Sequence, residues 1–327
     1  MSWLEKNCSK FWEESGREWK MNSFQRESLA DLVSHPVEWN CLLSQYTSFS
    51  IGGPADAVVR VNKRDELSGI LRFFAKEKVE WRVIGRGTNL LVQDSGFPGV
   101  ILVLGEEFRA ISSCSGNRPI DTDVRVGGGC SLGRLALNCM ERGLTGLEFS
   151  GGIPGTVGGA VIMNAGSWGS ELSSVIENLT LVSDAGERVI DRKDLNFGYR
   201  CWHDYREFSG KPIVVEVTFR LERDEPGKIR AYSQTLQKKR KEKQPGSYAT
   251  AGSFFKNPLN DSAGRLIEAS GFKGVKVGGV QVSENHANFL VNQGGATAAE
   301  VLTLMCNIQE KVKRDSGIDL EPEIHFI

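Results

Sequence analysis

Ile84-Gly-Arg-Gly-Thr-Asn-Leu-Leu-Val92 is the stretch that decides what kind of fold this sequence encodes. It follows the strand-like Trp81-Arg-Val-Ile84, and a glycine-rich turn there exposes backbone N–H groups that can converge on a phosphate. A dinucleotide turn of the doubly wound kind needs a third glycine after Gly87 and a helix opening at that point. Here Asn89 leads into Leu90-Leu91-Val92, which reads as another strand. The doubly wound turn is excluded. Taken alone, the loop fits a plain structural turn as well as a phosphate cradle.

Strands and helices alternate outward from this loop without a strict βαβ cadence. Asp56-Ala-Val-Val-Arg-Val61 is strand-like, and Asp65 is placed to cap an amphipathic helix with Leu67, Ile70, Leu71 and Phe74 on one face. Gly99–Leu104 and Asp123–Val126 read as strands. Ser131 is expected to cap a helix whose Leu132, Leu135, Ala136, Cys139 and Met140 share a face, closed by Gly143. A turn at Asp184-Ala-Gly186 joins two further strands. Ile213, Val215, Val217, Phe219 and Leu221 alternate with Glu216, Thr218 and Arg220, the period of a half-buried strand. Asp224-Glu-Pro-Gly227 reads as a linker before a basic helix through Gln237–Lys243. The capping box Thr297-Ala-Ala-Glu300 opens a last helix that Gly317 ends. This pattern is α+β. Residues 1–40, ending near His35-Pro36, read as an extension that packs its tryptophans on the body.

With 40% apolar and 25% charged residues the chain has globular composition, and 327 residues suffice for two or three domains. A formal net charge of −1 provides no field for nucleic acid or an anionic membrane. Seven cysteines, without a C-x-x-C pair, argue for a reducing compartment. Four scattered histidines argue against a zinc site. No secretory signal or bilayer-length apolar run is present, so a cytoplasmic protein is expected, with a monomer favoured.

A second loop, Ser150-Gly-Gly-Ile-Pro-Gly-Thr-Val-Gly-Gly-Ala160, allows close backbone approach to a ligand but lacks the Gly-Lys-Ser/Thr of a P-loop. It suits a crowded domain junction as well. Two such loops in one β-rich region favour a bound dinucleotide. Further on, Ala251-Gly-Ser-Phe-Phe-Lys-Asn-Pro258 places a hydroxyl, a cation and an amide beside Arg240, Lys241, Lys243 and Tyr248. That local basic cluster reads either as a solvated helix face or as a site for phosphates of a small substrate. Ser253 lacks a nucleophile elbow and a nearby histidine, so it does not read as an acylating nucleophile. Its hydroxyl can deliver a proton, although most such serines only cap or turn a chain.

Taken together, these stretches resemble the UDP-N-acetylenolpyruvoylglucosamine reductase family from about Leu43 to Ile327. The matching blocks are Thr47–Asp56, Gly87–Val92, Gly152–Ala160, Met163–Gly166, Phe197–Arg200, Ala251–Pro258, Ser283–Phe289 and Leu320–Glu323. The subtype without the long substrate-covering loop is the closer match. The resemblance implies FAD-binding subdomains of the vanillyl-alcohol-oxidase-like (PCMH) type across 41–222. An α+β substrate-binding domain would occupy 223–327, its tail returning to the active site. It further implies that NADPH reduces FAD, and that the UDP-N-acetylglucosamine enolpyruvate then takes hydride from flavin N5. The product is UDP-N-acetylmuramate, for peptidoglycan.

By the same matching, the proton donor falls on Ser253, the carboxylate-steadying arginine on Arg200 and their glutamate partner on Glu323. FAD contacts fall on Gly85, Arg86, Gly87, Thr88, Asn89 and Leu90 in the first loop. In the second region they fall on Gly152, Ile153, Gly155, Thr156, Gly158, Gly159, Asn164 and Ala165. Lys243, Tyr248 and Asn257 fall on UDP-sugar contacts. The chain departs from the family at Thr88, where serine is usual, and at Cys201-Trp202, where a small polar pair is common. Lys241 replaces the second member of an Arg-Arg pair. Only four residues follow Glu323, leaving little to anchor the tail, and residues 1–40 have no matched counterpart. The glycine loops alone would also suit another flavin-linked oxidoreductase or an inactive flavin-binding protein. Arg200, Ser253 and Glu323 together favour the reductase.

Overall fold

The structure is a computed structural model and describes residues 21–113, 122–208, 210–246 and 248–327. Its first unit is a four-stranded sheet in the order Glu38–Leu42, Pro54–Val61, Phe97–Leu104, Trp81–Val83. The last three strands run parallel, which requires a crossover, and the Arg64–Glu77 helix supplies it. Leu67, Ile70, Leu71 and Phe74 are its buried face, as their spacing predicts. Asp65 does not cap this helix. The cap position is Lys63, and Glu66 reaches back to accept the N–H groups of Asn62 and Lys63 at 2.9 and 3.3 Å. Ser131, although it holds the cap position of the Leu132–Glu141 helix, makes no side-chain cap bond there.

A helix at Ser23–Leu32, opened by an Asn22/Gln25 capping box, buries Leu29 in the same core. The tryptophans at 3, 12 and 19 lie outside the described residues.

The second unit is a five-stranded antiparallel sheet: Gly186–Asp191, Ile176–Ser183, Ile213–Arg220, Asp123–Gly127, Ile111–Ser113. The hairpin at 184–186 forms as expected, with Gly186 at φ 113°. Strand Ile213–Arg220 is not half-exposed. Ile213 and Val215 join the core of the first unit, while Val214, Val217 and Phe219 join that of the second. The strand is therefore apolar on both faces, and Glu216 survives there by pairing with Arg64 at 2.7 Å and Arg125 at 3.4 Å.

Residues expected to form a linker open a helix instead. Pro226 and Gly227 are the first residues of Pro226–Lys243, where proline's missing N–H costs nothing. This helix leads to the C-terminal unit, in which Ala263–Ala269 and Ala298–Ser316 pack on a small sheet of Lys276–Val277, Val280–Val282 and Leu290–Asn292. The Thr297/Glu300 capping box and the left-handed Gly317 bound the long helix as read from sequence.

A second cap comes from far away: Asp94 in the first unit accepts the N–H groups of Ala298 and Ala299 at 2.8 and 3.1 Å. These charge-assisted bonds also exploit the helix dipole. Asp94→Ala is expected to destabilise the fold by ~1–3 kcal/mol. Urea denaturation checks this; an unchanged midpoint would refute the cap.

The tail is anchored, contrary to the sequence expectation. His325–Phe326 pairs in parallel with Leu90–Leu91, and Gln93 N–H donates to the Ile327 carbonyl at 2.8 Å. The strand expected after Asn89 exists because these distant residues complete it.

Candidate active site

The two glycine loops face each other. A Cβ at Gly85 would stand 2.3 Å from Thr156 Oγ1, and one at Gly87 (φ 60°) 2.1 Å from the Tyr46 carbonyl. Thr88 Oγ1 donates to the Pro154 carbonyl at 3.2 Å, so the hydroxyl expected to survive the serine-to-threonine difference ties one loop to the other. Among the described residues, the backbone N–H groups of Gly85, Arg86, Gly87 and Thr88 meet no protein acceptor. A row of unused donors facing a second glycine loop, with the small Thr88 and Thr156 side chains between them, fits a dinucleotide pyrophosphate.

Not all of the expected cofactor residues face this cradle. Gly158 is buried, its N–H bonded to the Gly128 carbonyl, and a Cβ there would lie 3.1 Å from the Gly128 and Val214 carbonyls. Ala165 is a core residue. Asn164 is fully buried at φ 43°; its amide donates to the Gly198 carbonyl and its oxygen accepts the Ser173 N–H, both at 3.0 Å. These three side-chain positions serve packing, and Asn164 in particular holds the hairpin that follows.

That hairpin pairs Phe197 with Trp202 and Gly198 with Cys201, leaving Tyr199 and Arg200 as its turn. Arg200 adopts φ 55°, a left-handed conformation that costs a non-glycine residue about 1–2 kcal/mol. Trp202 lies beneath, 3% exposed among Phe197, Tyr205 and Phe208. It is core, and it supports the turn from below. The strained turn aims the guanidinium at two acceptors: Arg200 Nε bonds Glu323 Oε1 at 3.0 Å, and Nη2 bonds the Gly166 carbonyl at 2.7 Å.

Glu323 arrives on the tail. Its N–H donates to the Phe254 carbonyl at 2.8 Å, and its own carbonyl accepts Asn89 Nδ2 at 3.1 Å. Phe254 follows Ser253, which bridges to Phe289, and Gly252 (φ 83°) brings the chain to the Thr88 carbonyl. Ser48 ties the same two segments, accepting from Thr250 N–H at 3.2 Å through its carbonyl and donating its own N–H to Gly87 at 3.0 Å. One cluster thus gathers Arg200, Glu323, the Ser253 segment and the first glycine loop. Gly166 was missed as a partner, although it closes the Met163–Gly166 block.

Burial raises the Glu323 carboxyl above the usual range, partly offset by Arg200 and more weakly by Lys256. The folded state therefore holds this proton to higher pH than the unfolded chain does. Stability relative to Glu323→Gln should be greatest below about pH 4.5 and fall as pH rises through the elevated pKa. Urea melts of both proteins across the acid range check the sign; a difference that grows with pH refutes it.

The expected substrate residues are all exposed. Lys243 Nζ sits 5.7 Å from the Trp168 ring centroid, and Asn257 Oδ1 accepts the Ala263 N–H at 3.0 Å. Of the basic cluster, Lys241 and Lys243 are exposed but Arg240 is not. Among the described residues no group of three or more His, Cys, Asp or Glu could hold a metal, and no helix is long and apolar enough to cross a membrane.

Residues 55–191 match an FAD binding domain, which agrees with the cradle and defines a flavin-dependent oxidoreductase. Residues 244–327 match the C-terminal domain of UDP-N-acetylenolpyruvoylglucosamine reductase. The enzyme of that name from Bacillus pumilus is 40% identical over 308 residues, covering 94% of this chain and 99% of the relative. That from Bacillus licheniformis is 42% identical over 303 residues, 92% of this chain and 97% of the relative. The crystal structure of the Thermus caldophilus reductase superposes with a TM-score of 0.76 at 36% identity, covering 89% of this chain and 98% of its own. The chain belongs to the UDP-N-acetylenolpyruvoylglucosamine reductase family. The α+β FAD-binding fold with a C-terminal domain stands as expected. A 308-residue match necessarily reaches into residues 1–40, so part of that segment does have a counterpart.

Proposed function

We propose that the protein catalyses the NADPH-dependent, FAD-mediated reduction of UDP-N-acetylglucosamine enolpyruvate to UDP-N-acetylmuramate, for peptidoglycan precursors. We further propose that it works as a cytoplasmic monomer without nucleic-acid or membrane partners. The observation that carries this reading is the 3.0 Å Arg200–Glu323 pair, fixed by main-chain bonds beside Ser253 and against the flavin cradle. The Gly85–Thr88 loop, facing the second glycine loop, would hold FAD, which when bound would supply hydride chemistry to the substrate's enolpyruvyl group.

The chain's own groups do the rest. The planar Arg200 fork suits the substrate carboxylate and steadies charge that develops there. Ser253 delivers its hydroxyl proton to the carbon left carrying that charge. Glu323, a carboxylate that would repel an enolate if it acted directly, orients Arg200 instead; the ion pair supports this role. Lys243, Tyr248 and Asn257 hold the UDP-sugar in this reading, which their exposure supports. Residues 41–222 then carry FAD in two subdomains, and 223–327 carry the substrate.

The test is NADPH oxidation by purified holoprotein with and without the enolpyruvyl sugar. Oxidation should require the sugar, and NADPH-bleached flavin should recover its absorbance when the sugar is added. Rapid turnover without sugar, or none with flavin and sugar both present, would sink the reading.

A further inference from the structure

We infer that Arg240 is an anion-binding residue of the reaction centre, taking an anionic oxygen of the bound flavin or of the UDP-sugar. The inference deepens the proposed function and rests on it. Among the basic residues at the end of the Pro226–Lys243 helix, Lys238, Lys239, Lys241 and Lys243 are exposed, as a solvated face should be. Arg240 alone turns inward. Its stem lies flat on Gly152 of the second glycine loop, where a Cβ would stand 2.8 Å from both Cδ and Nε.

Its guanidinium has one neutral partner: Nη2 donates to Ser167 Oγ at 3.0 Å, and Ser167 in turn donates to the Phe149 carbonyl at 2.9 Å. Ser167 adjoins Gly166, whose carbonyl holds Arg200. Among the described residues Arg240 forms no ion pair. Two neighbouring cations are matched, Arg200 to Glu323 at 3.0 Å and Lys256 to Glu321 at 2.6 Å, while Lys243 is exposed to solvent. Burial lowers the proton affinity of Arg240, and the like charge of Arg200 acts in the same direction.

A partly desolvated guanidinium with one of five donors used, beside a second guanidinium, is costly unless an anion joins it. Placement against the flavin-loop glycine and next to the Arg200 anchor gives that anion two sources. One is negative charge on the flavin, including charge gained on two-electron reduction by NADPH. The other is the diphosphate or carboxylate of the sugar substrate. The charge shortage is the same in either case.

The experiment uses FAD-loaded Arg240→Met, which keeps the apolar stem on Gly152, with Arg240→Lys as the variant that keeps the charge. The FAD Kd and midpoint potential are measured without sugar, then KM and kcat with it. If flavin is the source, Arg240→Met binds FAD about tenfold more weakly or its potential falls by ~30 mV, a tenfold change for a two-electron couple. If the sugar is the source, KM rises about tenfold or more at unchanged potential. The lysine variant recovers part of either change. All three quantities within about twofold of the parent in folded Arg240→Met would overturn the inference, whatever happens to the melting temperature. Should that variant fold poorly, Arg240→Gln, which can keep the Ser167 bond, is read in the same way. The flavin measurements need no substrate, and the proposed reaction is judged on the parent protein, so the two failures are distinguishable.

Discussion

Ser253→Ala is expected to leave reduction of the bound flavin by NADPH intact while slowing electron return to the enolpyruvyl sugar by ~10²–10⁴-fold. The hydroxyl sits on a segment whose main chain is fixed on both sides. Phe254 N–H bonds the Asn288 carbonyl at 2.9 Å, and the Phe254 carbonyl accepts Glu323 N–H at 2.8 Å. Phe254 and Phe255 are buried in the C-terminal core. Losing one oxygen therefore removes a proton source without moving the backbone that carries it. Stopped-flow absorbance separates the half-reactions. Impaired flavin reduction, or a second half-reaction at parental rate, would remove Ser253 from its proposed role.

Arg200→Lys should lower kcat/KM by ~10²–10³-fold, a loss of about 2.7–4 kcal/mol of transition-state stabilisation. The guanidinium bonds Glu323 through Nε and the Gly166 carbonyl through Nη2, leaving further donors of the fork for a substrate carboxylate. A lysine presents one point charge and cannot keep both anchors while reaching a third group. Charge conservation alone should not rescue activity. A lysine variant within about threefold of the parent would show that only the charge matters.

The elements that could be read from sequence are those encoded locally. The apolar face of Arg64–Glu77, the turn at Gly186, and the Thr297/Glu300 box with Gly317 are each specified within a few residues. The misreadings involve features settled by distant partners or by one-residue details of capping. Strand Ile213–Arg220 alternates like a half-exposed strand because Glu216 and Thr218 interrupt it, yet Arg64 and the first unit cover that face. Glu66, one residue past the expected Asp65, reaches the backbone of Asn62.

At the site, the resemblance named Arg200, Ser253 and Glu323, but no local pattern tells that an arginine at φ 55° would meet a glutamate 123 residues away. Nor does spacing distinguish Asn164, spent on Gly198 and Ser173, from a cofactor ligand. Periodicity places Arg240 among exposed lysines. Only packing on Gly152 separates it from them.

The parallel pairing of Leu90–Leu91 with His325–Phe326 sets a timetable for biosynthesis. Asn89 cannot bond the Glu323 carbonyl until 234 further residues have been made. At roughly 5–20 residues per second, the first glycine loop waits on the order of 10–50 s beside the ribosome with that edge unfilled. Its sheet can fold early, but the loop is completed only when the tail emerges. With FAD held at this loop as proposed, nascent chains stalled before residue 323 should emerge colourless, and only full-length chains should take up flavin.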